Sequence, residues 1–326
     1  MKERDFISNI RAQFVGESDL LFKGIGDDCA VFRGSDDLCW LISTDLLVEN
    51  VHFVTEWHDA YLLGRKAVAV NLSDIAAMGG RPRFIAVSLA LPSYLTDDWL
   101  SKWYMGVADI LKENDCLLIG GDVAKSALFT INIIALGSAH PDKVLYRNGA
   151  KDEDDIYVTG PLGTAAAGLE ILQRKIDDED TYLPFITAHL NPEPQISAGM
   201  ALAESGLVSA MQDISDGVAT DLSHICLESQ VGAVVYASEL PCCEELPGLC
   251  NKLHLSLNDI ILSGGEDYQL IFTADVDHRE KLAKLGSQLQ TSFVRIGKIT
   301  AQKGRVFLEE DGVSRDITFK GFEHDS

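Results

Sequence analysis

The sequence predicts an α+β protein of two domains, an N-terminal α/β domain on a mixed sheet and a C-terminal α/β domain. Three observations predict it. The chain has 326 residues, enough for two cores of ordinary size. Short apolar runs of strand character alternate with helically spaced segments along both halves. Between Tyr146 and Asp155 that alternation gives way to a polar, charged stretch, and a fresh strand opens beyond it. Residues 1–148 and 149–326 are therefore read as separate units, and no repeat of about 20–50 residues relates them.

Taken in order, Cys29 to Arg33 and Leu38 to Thr44 are apolar runs separated by the turn-like Gly34-Ser35-Asp36-Asp37, which predicts a hairpin. Tyr61 to Met78 is proline-free and alanine-rich, with Leu63, Ala67, Val70, Asp74 and Met78 at helical spacing and Gly79-Gly80 and Pro82 as a stop. A strand follows over Phe84 to Leu91. The next helix is capped by Thr96, with Asp97 and Asp98 in the first turn, where carboxylates suit the helix dipole. Strands at Cys116 to Ile119 and Leu128 to Leu136 complete the first half. In the second half, a strand at Asp155 to Thr159 runs through Gly160-Pro161-Leu162-Gly163-Thr164 into a helix near 163–174. Helices near 196–204 and 218–229 and strands near 232–237, 268–273 and 293–299 follow, while the acidic run Asp177 to Asp180 reads as a solvated loop.

With 46% hydrophobic and 24% charged residues the composition is that of a folded globular protein. Its charge is lopsided: 27 basic residues against 50 acidic ones leave a formal net charge of -23, which argues against nucleic acid as a partner. If the ligands are phosphates, divalent cations held by converging carboxylates must offset the repulsion. Met1 to Phe14 lacks the apolar core of a signal peptide, and no apolar run approaches the roughly 20 residues that span a bilayer. Seven cysteines, an odd number without a C-x-x-C pair, disfavour a disulfide framework or a zinc site. A cytoplasmic protein is expected, with no membrane partner.

The placement of aspartates carries the functional reading. Asp27-Asp28 follows the turn Gly24-Ile25-Gly26, Asp45 ends a strand in Ser43-Thr44-Asp45, and Asp122 follows a strand and Gly120-Gly121. Asp213 and Asp216 stand in Asp213-Ile214-Ser215-Asp216-Gly217. Any one alone reads more readily as a turn or cap residue, but the repetition favours carboxylates converging on a cleft. Asp74 is the only charge between Ala67 and Met78. In a buried helix it would need a cation or strong donors; alternatively, Ser73 or Asp74 is the N-cap of a second short helix. Walker, dinucleotide-fingerprint and protein-kinase motifs are absent. His52 beside Phe53 is a candidate ligand contact, Arg147 a candidate phosphate clamp at the domain junction, and Tyr104 the exceptional member of an otherwise core-forming aromatic helix. The amides of Gly160 to Thr164 are a possible anion site.

In order, these segments resemble the thiamine-monophosphate kinase family over nearly the whole chain. The resemblance is carried by Gly24-Ile25-Gly26-Asp27-Asp28-Cys29-Ala30, by Ser43 to Phe53, by Ala67 to Gly79, by Ile119-Gly120-Gly121-Asp122, by Asp213 to Gly217, and by Ser263-Gly264-Gly265-Glu266-Asp267-Tyr268. It implies the two-domain fold of the aminoimidazole ribonucleotide synthetase type. It also implies transfer of the γ-phosphoryl group of ATP to thiamine monophosphate, with several Mg²⁺ ions. By the same resemblance Asp28, Ser43, Thr44, Asp45, Asp74, Asp122, Asp213 and Asp216 bind Mg²⁺, and Tyr104, Gly121, Asp122, Arg147 and Ser215 contact ATP. His52, Glu266 and Phe322 of Gly321-Phe322-Glu323-His324 contact the thiamine phosphate. It further implies a homodimer paired through the N-terminal domains. The chain departs from the family pattern at Val123 (usually Thr), Asn50 (usually Gly) and Phe322 (usually Tyr or Trp).

No side chain is assigned as a catalytic base. The attacking phosphate oxygen is already ionised near neutral pH, so positioning and charge neutralisation supply the catalysis. Two rival readings are another ATP-dependent synthetase of the same superfamily and a non-enzymic acidic cation-binding protein. Against selenophosphate synthetase in particular, the region before Gly24 has neither a cysteine nor a glycine-rich arm.

Overall fold

The computed structural model describes residues 3–14, 16, 18–35, 37–176 and 179–322. Asp36 of the expected hairpin turn, Asp177 and Asp178 of the acidic run, and Glu323-His324 lie outside the described residues. The first half runs α1 (Glu3–Gln13), β1 (Leu21–Lys23), β2 (Ala30–Arg33), β3 (Cys39–Val48), α2 (Ala60–Ala77), β4 (Arg81–Leu91), α3 (Asp97–Glu113), β5 (Leu117–Lys125) and β6 (Thr130–Ala139). The second half runs β7 (Asp155–Val158), α4 (Thr164–Gln173), α5 (Glu179–Leu190), α6 (Ile196–Ser205), β8 (Val208–Asp213), α7 (Val218–Ser229) and β9 (Gly232–Tyr236). It continues with α8 (Leu246–Leu253), α9 (Leu257–Ser263), β10 (Leu270–Ala274), α10 (Arg279–Leu289), β11 (Val294–Thr300), β12 (Val306–Glu310) and β13 (Val313–Asp316). None of these helices is long and apolar enough to cross a membrane.

Each half builds one sheet. The first has the order β1-β2-β3-β6-β4-β5, antiparallel except for the parallel pair β4 and β5, which α3 connects. The second has the order β13-β12-β9-β11-β7-β10-β8, antiparallel except for β9 and β12. Strand β6 alternates buried and part-exposed residues, as a sheet covered on one face must, whereas β7 and β10 are buried at every residue.

Helix α2 occupies the junction. Asp59 caps it by accepting from the Tyr61 N–H, and it packs both on the first sheet and on α6 and β8 of the second half. With neighbours on all sides it is buried almost throughout, which explains why Ala, Val and Leu dominate it. The helix is continuous to Ala77, so neither Ser73 nor Asp74 caps a second helix.

Several sequence expectations need correction. Strand β3 runs on to Val48, so Asp45 lies inside the strand rather than at its end. Strand β5 runs on through Gly120-Gly121 to Lys125, so Asp122 lies inside the strand rather than after it. The reason is lateral: a Cβ at Gly121 would fall 1.7 Å from the Val87 carbonyl oxygen of β4, so glycine lets the two strands stay paired. The acidic run is not simply loop, because α5 begins at Glu179.

Candidate active site

Three carboxylates converge from separate parts of the chain. Asp28 stands in the loop before β2, Asp74 late in α2, and Asp213 at the end of β8; one oxygen from each lies within 4.8 Å of the others. The loop after β8 turns sharply at Gly217, where φ is +103° and a Cβ would sit 2.9 Å from the Leu262 carbonyl. This turn returns the chain into α7 and leaves Asp216 beside Asp213 and Asp45.

Neighbouring groups orient the carboxylates. The Ser43 hydroxyl donates to Asp74, and the Ser73 hydroxyl donates to Asp213 Oδ2 at 2.6 Å. Arg147 donates from Nη2 and Nε to Asp28 Oδ1, at 2.5 and 3.2 Å. Asp45 shares the face of β3 that carries Ser43, and its backbone N–H donates to Asn71 Oδ1 at 3.0 Å.

Burial pushes the proton affinity of Asp28 up to about 7 although Arg147 opposes the shift, and Asp213 and Asp27 add to it. Burial, then Asp28 and Asp216, push Asp45 up to about 6. Burial likewise raises Asp213 to about 6, against the Ser73 hydrogen bond. Asp74 rises well above its ordinary value, through burial first and then Asp45, Asp213 and Asp28. Such crowding is stable only with protons or cations between the carboxylates.

Asp28 Oδ2 is buried without a hydrogen-bond partner, an orphaned anionic oxygen that a metal ion would satisfy. Carboxylate and hydroxyl oxygens are the donors that hard cations such as Mg²⁺ prefer. The residues present therefore fit the metal.

The remaining expected site residues are distributed more widely. Ser215 follows Asp213, and its carbonyl accepts from the Glu266 N–H at 2.8 Å. The Phe322 N–H donates to the Asp216 carbonyl at 2.8 Å, which brings the half-exposed Phe322 ring to the same loop. His52 Nδ1 accepts from the Val48 N–H at 3.0 Å. Thr44 points to the opposite face of β3 from Ser43, and its Oγ1 accepts from Asn132. Gly121 and Asp122 lie exposed on β5, and Tyr104 lines a surface depression along α3 with Asp97, Leu100 and Met105. The amides at the start of α4 already hold an anion: Gly163 and Ala165 donate to the Asp267 carboxylate, at 2.7 and 3.4 Å.

Sequence reasoning missed Asp221, whose carboxylate accepts from Gln212 Nε2 at 3.0 Å and from the Asp216 N–H at 3.1 Å. It thereby folds the loop that carries Asp213 and Asp216. The available signal was an acidic residue in the first turn of a helix just after that motif. Lys66 and His189, which flank Glu266, were also missed.

Fold and site together define a class. The family described as AIR synthase related protein matches through its N-terminal domain over residues 26–139 and its C-terminal domain over residues 151–309. The chain is 34% identical to a thiamine-monophosphate kinase of Bacillus subtilis, covering 99% of each chain. It is 37% identical to one of Haemophilus influenzae, covering 99% of this chain and 98% of that one. A solved structure described as AaThiL complexed with AMPPCP and TMP superposes with a TM-score of 0.84 at 31% identity, covering 96% of this chain and 94% of the other. The chain belongs to the thiamine-monophosphate kinase family.

Proposed function

We propose that this protein transfers the γ-phosphoryl group of ATP to thiamine monophosphate, giving ADP and thiamine diphosphate. The observation that carries the reading is the convergence of Asp28, Asp74 and Asp213, with Asp28 Oδ2 left unpartnered, in a chain so similar to kinases of that name. Bound Mg²⁺ would neutralise and align the two phosphate-bearing substrates.

The protein's own groups prepare the site. Ser43 and Ser73 fix Asp74 and Asp213 by donating to them, and Asp221 fixes the Asp216 backbone. Arg147 neutralises Asp28 and carries the planar fork suited to a phosphate. Asp45 and Asp216 extend the carboxylate set. In the same reading Thr44 and Asp122 add to the metal ligands, Tyr104, Gly121, Asp122, Arg147 and Ser215 contact ATP, and His52, Glu266 and Phe322 contact the thiamine phosphate. We read residues 1–148 as the ATP- and Mg²⁺-binding, dimerising part and 149–326 as the part that completes the cleft. We read the protein as acting in thiamine diphosphate synthesis, in the cytoplasm.

A homodimer through the first sheet is supported by its outer strand. Leu117, Leu118, Ile119 and Val123 of β5 are all exposed on an unpaired edge, a surface that soluble proteins otherwise blunt or cover. Sedimentation at micromolar concentration should give twice the chain mass; a monomer throughout would remove this part of the reading.

Phosphorus NMR of the purified protein with Mg²⁺-ATP and thiamine monophosphate tests the reaction. ADP and a new diphosphate ester should form in equal amounts, with little inorganic phosphate, and thiamine lacking its phosphate should not react. Its hydroxyl needs a base to become a nucleophile, whereas the monophosphate brings an ionised oxygen. Inorganic phosphate accumulating without the diphosphate ester would overturn the reading in favour of a synthetase.

A further inference from the structure

We propose that Lys66 and His189 are positioning residues for substrate recognition, gripping the Glu266 carboxylate from two sides across the junction between the halves of the chain. The proposal rests on the reading above that Glu266 contacts thiamine monophosphate.

The first observation is the burial of Lys66. It lies in α2 with 1% of its surface exposed, and a lysine ammonium so placed is costly unless its protons find acceptors. Its Nζ donates to the His189 carbonyl at 2.9 Å and pairs with Glu266 Oε1 at 3.0 Å. Both of these partners belong to the second half of the chain. A cation on a helix of the first half is thus neutralised from the other side of the junction.

The second observation is the fork around the carboxylate. His189 Nδ1 lies 2.8 Å from Glu266 Oε2, a contact short of hydrogen-bond alignment, so each carboxylate oxygen faces one nitrogen. The Glu266 side chain nevertheless keeps 27% of its surface open, while those of Lys66 and His189 beneath it keep 1% and 4%. One side of the carboxylate is held and the other faces outward.

The backbone is constrained in the same way. Glu266 and Tyr268 adopt φ of +66° and +48°, a left-handed conformation that costs non-glycine residues about 1 kcal/mol or more each. Hydrogen bonds from the Glu266 N–H to the Ser215 carbonyl and from the Tyr268 N–H to the Ile214 carbonyl hold them there. Asp267 between them is tied to the start of α4. Glu266 is therefore fixed to the loop of Asp213 and Asp216 through its backbone, and to α2 and α5 through its side chain. A misplacement of about 1 Å at either anchor would move the recognition group relative to the carboxylate cluster.

A double-mutant cycle on the full chain tests this, with both substrates varied at saturating Mg²⁺. Lys66→Met should raise KM for thiamine monophosphate about tenfold or more while leaving KM for ATP within about threefold. Glu266→Gln should do the same, and Lys66→Met added to Glu266→Gln should change KM little further, because Lys66 acts through Glu266. His189→Leu keeps the carbonyl that Lys66 uses. It should show the same selective effect, with His189→Asn, which returns a nitrogen near the Nδ1 position, restoring most of the loss. The His189 pair carries the test if Lys66→Met does not fold.

Independent, multiplicative effects of Lys66→Met and Glu266→Gln, or equal rises in both KM values, would overturn the proposal and leave Lys66 a structural ion-pair partner. Unchanged KM for thiamine monophosphate in Glu266→Gln would instead remove the substrate role of Glu266, and the proposal with it.

Discussion

The carboxylate cluster and Glu266 are two anionic regions at one junction, and they solve the same problem in opposite ways. Asp28, Asp74 and Asp213 crowd together with Arg147 as a basic partner, and burial with mutual repulsion drives their proton affinities up. Glu266 is only partly withdrawn from water, which by itself would raise its proton affinity, but Lys66 and then His189 outweigh that and hold it well below the usual carboxylate range. One region carries its compensating charge within the fold; the other leaves it to be supplied with the ligands. The comparison explains why the cluster can recruit cations, and why Glu266 can stay a fixed anionic acceptor without one.

Removing a charge from the cluster should have the largest effect on activity. Asp74→Asn should lower kcat by about a thousandfold or more, because Asp74 is central to the set that would hold metal. The same change relieves repulsion, so the metal-free variant should melt at or above the wild-type temperature. Kinetics paired with thermal melts in chelator decide it. A folded variant with near wild-type kcat would show that Asp74 is not part of the metal set.

Asp74 was legible in the sequence because it is the one charge between Ala67 and Met78, and only a tertiary partner could justify it there. Asp28 and Asp216 were legible because Gly26 and Gly217 open the chain near them for close approach, and Asp213 because it shares one short motif with Asp216. Lys66 was not. It stands one residue before the stretch whose one charge is Asp74, and its partner Glu266 lies 200 positions along the chain, a pairing no local pattern encodes. His189 was hidden by α5, a helix that contains Pro184 and starts within the acidic run read as loop.

The fold shows the same division. The hairpin of β2 and β3, the helix α2 and the Thr96 cap of α3 follow from patterns and capping chemistry within a few residues. The lengths of β3 and β5 do not. Polar residues and glycines end a strand in isolation, but β3 has β6 beside it out to Val48, and β5 has β4 beside it out to Lys125. Sheet partners from elsewhere in the chain decide those ends.

The two regions should also differ, by a smaller margin, in how they make stability depend on pH. In metal-free protein the folded-state values of Asp28, at about 7, and of Asp45 and Asp213, at about 6, lie above their ordinary value of 3.8. A raised carboxylate contributes stability that is full below the unfolded value and is lost as pH rises through the folded one. Glu266 has the opposite sign: its stability is present above the ordinary 4.5 and fades only in acid, so it adds no slope between pH 5 and 8. The melting temperature in chelator should therefore fall by several °C from pH 5 to pH 8. Saturating Mg²⁺ should flatten the slope by taking the place of the protons, and Asp28→Asn should reduce it in chelator. Equal slopes with chelator and with Mg²⁺ would mean that the cluster is not where the cations bind, and the contrast with Glu266 would lose its functional meaning.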